Sequence, residues 1–404
     1  MEGDDRRSPH ASRRRFLAVG GAAALAAVAG CTGGPGGGGG ANSGTKTGTA
    51  GANGSGGTAA GDVELADFRG SGPLVSSRPP LSGTRMDDLP PLSGDLTIYL
   101  GGGEGGLYLD LLDLLNRKYP DFHPTPRAEP SAQLANTLIE ETRGGRKSPA
   151  DVFWAVDAGS LGVVADNDVT AKLPSDVTDA VPKNFRPGDQ WVGVAGRARS
   201  VPYNTDHFSK SDVPTSIDAF PGDDAFAGVM GWAPTYGAFQ AFVTAMRVLE
   251  GEAKTKQWLN GMQAQKVSEY HDEFLVSNAV ADGEVFAGFA NHYYALRVKA
   301  SRPDAPIDLA FTSNDAGALI DVAGAAVVEG TEKADLATNF VHHLLTAEAQ
   351  EFFATRTFAY PTVEGVPPVG GLPPIDELNP PDMDLAKLSD VKPTLGLMRE
   401  AGVL

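Results

Sequence analysis

Cysteine is almost absent: the 404-residue chain has one, Cys31. A single thiol builds no intrachain disulfide framework and no Cys-based zinc site. Cations are scarce as well, with 33 Lys+Arg against 51 Asp+Glu and a formal net charge of -18. That balance argues against general nucleic-acid binding, because neutralising phosphates needs clustered cations. The acidic excess fits a plain soluble surface, and equally a chain kept soluble in concentrated salt, where screening weakens self-repulsion. Neither Gly-x-Ser-x-Gly nor His-Glu-x-x-His occurs, and the seven histidines show no zinc spacing. No nucleophile–base arrangement rises above chance, so the expectation is that the protein is not an enzyme. Long apolar runs are missing too. The stretch 18–29 is too short and too weakly apolar for a spanning helix, and no later segment reaches spanning length.

What that first stretch resembles is an address. Arg13 and Arg14, within Ser12-Arg13-Arg14-Arg15-Phe16-Leu17, resemble a twin-arginine export signal. Val28-Ala29-Gly30-Cys31 resembles a lipobox, in which the chain is cut before a cysteine that then carries a lipid. The expectation is an exported protein, lipid-anchored at Cys31 on the outer side of the cell membrane. Losing residues 1–30 removes five basic and three acidic residues, leaving 28 against 48 and a charge of −20. Residues 31–94 are rich in Gly, Ser, Thr and Pro with little apolar periodicity, and predict a flexible tether.

From Asp95 the pattern changes. Leu96–Leu100 reads as a buried strand, 101–106 as a glycine-rich turn, and Leu107, Leu111, Leu114 and Leu115 as one face of a helix. Further helices are expected over Ala132–Arg143, Gly237–Leu249 and Ala334–Thr355, with one starting near His292. Strands are expected over Asp151–Ala155, Ala225–Gly231, Val285–Ala290 and Gly324–Glu329. This β-α rhythm predicts an α/β fold with parallel sheet covered by helices, long enough for two lobes.

Asn291-His292-Tyr293-Tyr294 stands at an expected strand-to-helix junction. Adjacent residues opening a helix are offset by roughly 100°, so two long phenol arms can converge on one point. Phenolate is a hard anionic donor suited to a hard trivalent cation, and a bound cation would stabilise it at neutral pH. The same pair also serves as core or stacking aromatics.

Further segments narrow that choice. Pro149-Ala150-Asp151-Val152-Phe153, Gly196-Arg197-Ala198-Arg199, Gly237-Ala238-Phe239, Gly317-Ala318-Leu319 and Gly324-Ala325-Ala326-Val327 flank the Asn-His-Tyr-Tyr segment. Together they resemble the ferric-iron-binding proteins of ABC importers, within the extracellular solute-binding protein family. The resemblance implies a two-lobe periplasmic-binding-protein-like fold with hinge crossover strands and the ligand in the interlobe cleft. It places residues 95–200 with about 321–370 in lobe 1, and about 201–320 with 371–404 in lobe 2. Tyr293 and Tyr294 match paired iron ligands, and Tyr236 a third tyrosine ligand in one branch of the family. Asn291, Gly237, Ala238 and Arg197 match anion contacts or neighbours of the metal. Three positions depart: Gly103 replaces a histidine, Val156 a glutamate, and Glu273 an asparagine. The tyrosine-rich branch is the nearer match, with Fe3+ as cargo and water, carbonate or Asp157 completing the shell. The implied partners are a permease and its cytoplasmic ATPase, with no nucleic acid, and the chain is expected to be a monomer. Two other readings stay open. One is the same fold holding an organic cation or oxyanion, with Glu273 or Asp157 pairing a cation. The other is an exported metal-dependent enzyme.

Overall fold

The computed structural model describes residues 63–102 and 106–404. Arg13, Arg14, Cys31 and Gly103 lie outside the described residues. Ten strands form the sheet system: β1 Gly94–Leu100, β2 Phe122–Ala128, β3 Val152–Ala155, β4 Val192–Asn204, β5 Met230–Trp232, β6 Ser268–Glu269, β7 Ala287–Gly288, β8 Ala290–Asn291, β9 Ile307–Ala310 and β10 Ile320–Val327. The helices are α1 Leu65–Phe68, α2 Leu107–Lys118, α3 Ser131–Thr142, α4 Ala158–Asp166, α5 Ser175–Thr178, α6 Gly237–Glu250, α7 Glu252–Ala264, α8 Glu273–Ala281, α9 His292–Ser301, α10 Ala334–His343, α11 Ala347–Phe352 and α12 Val391–Glu400. No described helix is long and apolar enough to cross a membrane.

Two α/β lobes share one strand. In lobe 1 β1 pairs in parallel with β2 and β3, and β10 runs antiparallel between β3 and β4. In lobe 2 β5 pairs in parallel with β6 and β7, while β7, β8 and β9 pair antiparallel with β4. The strand β4 is the crossover. Residues up to Ala198 pair with β10, and from Arg199 onward the partners are β7, β8 and β9. Sequence patterning missed it because twelve of its thirteen residues are buried, which erases the period-two alternation of a half-exposed strand. Glycine is demanded along it: a Cβ on Gly196 would lie 3.0 Å from Tyr360 Cβ. The strand β2, also unread, carries Pro124 and Pro126, which a sheet edge tolerates because its N–H groups need no ladder partner.

Large aromatics fill each lobe. Tyr108 stacks on Trp154 at 4.5 Å in lobe 1, and Trp258 packs edge-on to Phe242 at 5.5 Å in lobe 2. Residues 385–389 bridge the lobes, packing on both α4 and α6. Gly159 and Gly162 permit that approach, since their Cβ atoms would fall 2.9 Å from Ser389 N and 2.4 Å from Ala386 Cβ.

Several expectations are corrected. The helix expected over Ala334–Thr355 breaks into α10, α11 and a π-turn at Phe353–Thr357. Thr346 adopts an extended conformation and bonds the His343 carbonyl at 2.7 Å, competing with the helical backbone. The strand expected over Ala225–Gly231 shrinks to β5, because Gly228 turns the chain at φ 73. Val285–Ala290 splits into β7 and β8 with Phe289 turned into the core between them.

The largest correction concerns the tether. Residues 63–94, assigned to it from composition, pack onto the globule as an arm. Val63, Phe68, Met86 and Leu92 are buried in the main core. Arg69 pairs with Glu351 at 2.6 Å, and Arg78 Nε lies 3.1 Å from both oxygens of that fully buried carboxylate. Arg85 pairs with Glu348 at 2.8 Å. Composition hides this, because each arginine finds its partner more than 260 residues later. Replacing Arg78 with Ala removes the more buried of the two arginines paired with Glu351 and leaves Arg69 to hold that carboxylate. The expected loss is about 3 kcal/mol of unfolding free energy in urea titration. An unchanged midpoint would mean that the Arg78–Glu351 pair contributes nothing to stability.

Candidate metal site

Three phenols converge at the carboxyl ends of the lobe 2 strands, where open α/β sheets hold ligands. Tyr236 follows β5 and stands at the N-cap of α6. Asn291 ends β8 and is the N-cap of α9, so Tyr293 and Tyr294 occupy that helix's first turn. Their rings lie 4.3 Å apart, and the Tyr236 ring is 6.2 Å from that of Tyr294. The Tyr294 hydroxyl makes a short hydrogen bond with that of Tyr236 and is hydrogen-bonded to Tyr293 as well. Tyr293 and Tyr294 are 3% and 7% exposed, and Tyr236 is half-buried. Burial pushes the Tyr294 phenol far above its usual range, and its two phenol neighbours push the same way.

Sequence reasoning missed the cations around it. Arg297 lies over both rings, 4.9 Å from the Tyr293 centroid and 5.4 Å from that of Tyr294. The signal was its spacing, four and three residues past the tyrosines, which places it on their face of the helix. Arg199 is buried beneath the site and forms a short ion pair with Glu273. Glu273 in turn accepts from the Asn291 backbone N–H at 2.8 Å. The Asn291 side chain reaches Tyr293 Oη at 3.5 Å and Arg199 at 3.4 Å.

The remaining predicted residues are placed as follows. Gly237 and Ala238 open α6, and Gly237 is exposed with open space around it. Arg197 pairs with Asp321 at 2.6 Å. Asp321 also accepts from Ala158 N–H at 3.0 Å, tying Arg197 to the start of α4 in lobe 1. Burial raises the Asp321 carboxyl, with Arg197 opposing. Asp157 accepts from Ser160 N at 2.7 Å and Ser160 Oγ at 3.1 Å, so both oxygens cap α4. The structure gives it a capping role. Val156 is half-buried at the end of β3. Among the described residues no group of three or more His, Cys, Asp or Glu could hold a metal.

His292 fixes the helix that carries the tyrosine pair. Its Nε2–H donates to the Phe358 carbonyl at 2.8 Å, leaving Nδ1 to accept from Ala198 N–H at 3.2 Å. The first residue of α9 is thereby tied to the crossover strand at the point where that strand changes partners.

A two-lobe α/β fold with polar-tipped side chains gathered at its strand ends has the architecture of a solute-binding protein. Residues 116–375 match the model of the bacterial extracellular solute-binding protein family, and the chain belongs to that family. Among its relatives are ferric-iron-binding proteins. The major ferric iron-binding protein of Neisseria meningitidis (serogroup A, strain Z2491) is 30% identical over 277 residues, 67% of this chain and 82% of that protein. The Fe(3+)-binding periplasmic protein of Serratia marcescens is 29% identical over 278 residues, covering 68% and 80%. Iron-bound HitA from Pseudomonas aeruginosa superposes with a TM-score of 0.66 at 30% identity, covering 76% of this chain and 99% of HitA.

Proposed function

We propose that this protein is the solute-binding component of an ABC importer, and that it captures ferric iron through the phenolates of Tyr236, Tyr293 and Tyr294. The observation that carries the reading is the convergence of the three hydroxyls around Tyr294. Three phenolates match the charge of Fe3+ with hard oxygen donors. Water completes the shell, with carbonate at the N–H groups of Gly237 and Ala238 as the other occupant that the resemblance implies. Cargo then passes to a membrane permease driven by a cytoplasmic ATPase. Arg13, Arg14 and the lipobox ending in Cys31 support twin-arginine export and a lipid anchor outside the membrane. The protein works as a monomer.

The organic-cation alternative needed a carboxylate to pair the ligand. Glu273 is engaged by Arg199, and Asp157 caps α4. Titrating the purified protein with Fe3+ is expected to raise a purple-red phenolate-to-iron band at one metal per chain. Tyr293→Phe should lose most of the band and weaken binding beyond the ten- to about hundredfold typical of changes outside the ligand shell. Absence of colour together with an unshifted melting temperature would overturn the iron reading. A stoichiometric organic molecule, extracted without metal, would replace it.

A further inference from the structure

One stretch of the arm is fastened at both ends to the same carboxylate. Arg69 Nε donates to Glu351 at 2.6 Å, and Arg78 Nε lies 3.1 Å from both Glu351 oxygens. Beside the first contact, Gly70 N–H donates to Thr355 Oγ1 at 2.8 Å. Beside the second, Arg78 Nη1 donates to the Pro368 carbonyl at 2.9 Å. Between these anchors Gly72, at φ 109, leads into a single tight turn, Pro73–Val75. That turn delivers Leu74 and Val75 to the apolar cluster that holds Tyr293, Tyr294, Leu296 and Val298 of α9. Val75 is 6% exposed there. Arg78 adds a second hold, because the segment after Pro368 also lies against α9. A Cβ on Gly370 would fall 2.7 Å from Leu296 Cδ2. One buried carboxylate therefore anchors two separate contacts on the helix that carries the tyrosine pair. The loop stands before residues 116–375, the part that matches the family model.

We propose that residues 69–78 form a brace that positions the iron site, with Leu74 and Val75 holding α9 so that its two phenols stay in register with Tyr236. The inference rests on the ferric-ion reading above. A helix held at one end can pivot, and each phenol hydroxyl sits at the tip of a long side chain, so a small tilt displaces the donor atoms. His292 fixes only the first residue of α9, through Phe358 and Ala198. The brace acts further along, in the cluster of Leu296 and Val298. Leu74 and Val75 are positioning residues: the donors to the metal are the phenols.

Two variants that remove the same methyl groups separate positioning from plain stability. Val75→Ala acts in the cluster around α9. Val63→Ala acts in the same arm, but in the main core, where Val63 is 5% exposed. Iron affinity is measured by competition with nitrilotriacetate, and the phenolate-to-iron band is recorded, at a temperature where circular dichroism shows each iron-free protein folded. Val75→Ala is expected to lose about tenfold in affinity and to shift the band, as when a group supporting a metal ligand is removed. Val63→Ala should keep the affinity and band of the wild type. A Val75→Ala protein with wild-type affinity and band would overturn the proposal. So would an equal loss in Val63→Ala, which would reduce the effect to general stability. If Val75→Ala does not fold, Leu74→Ala takes its place against the same outcomes. No band in the wild type would overturn the ferric-ion reading itself, which is a different result.

Discussion

Lowering the pH by one unit is expected to weaken capture of free ferric ion by about a thousandfold, because three phenol protons must leave for each metal bound. The direction follows from the site. Burial and the two neighbouring phenols hold the Tyr294 hydroxyl protonated, far above its usual range. The metal must therefore compete with protons, and each proton displaced contributes a factor of about ten per unit of pH. Affinity should climb with pH as long as the free site stays protonated. Two measurements check this. Competition against a chelator of known protonation gives the slope, and proton release in weak buffer gives the count. Release near three supports the tyrosine site. Release near zero, with a flat affinity, would remove phenolate coordination and leave the aromatics as a wall for some other solute.

Acid should also unfold the protein, through two histidines far from each other. His292 and His343 are buried and held neutral, each with its pKa lowered from 6.5 to about 4, and desolvation is the leading cause for both. The His343 ring bonds the Asn339 carbonyl at 2.8 Å and the Tyr119 hydroxyl at 3.1 Å. The sign is fixed by proton counting. Below about pH 6.5 the unfolded chain takes up protons that the folded rings refuse, so the unfolded state gains. Stability present above 6.5 is lost as pH falls toward 4, on the order of 3 kcal/mol for each ring. Urea unfolding at neutral pH and near pH 4 measures the loss. His343→Gln should remove about half of the difference between the two pH values. If the variant and the wild type lose the same amount, the buried histidines are not the acid-sensitive groups.

Much of the site was legible because its chemistry is local in sequence. Tyr293 and Tyr294 are adjacent, and a strand-to-helix junction is enough to bring both arms together. Tyr236 needed a resemblance, since 57 residues separate it from Tyr293. The supporting network was illegible for a physical reason. Arg199, Glu273 and Asn291 meet only because β4 pairs antiparallel with β8 and α8 starts beside that pair. A buried ion pair of this kind has no periodicity. The crossover strand hid for a similar reason, its burial on both faces removing the alternation that marks a strand. In the arm, isolated apolar residues among Gly, Pro and Ser gave no repeating pattern, though Phe68 and Met86 are fully buried.

That arm reaches further than lobe 1. Between Arg69 and Arg78 it carries Leu74 and Val75, which pack in the same apolar cluster as Tyr293, Tyr294 and Leu296. Any mechanical load applied at residue 63 thus meets the Arg69–Glu351 pair before it meets the residues packed on the tyrosine helix. Arg69 acts as a strain relief, so that a pull at residue 63 is borne by lobe 1 before it reaches the cluster around Tyr293 and Tyr294.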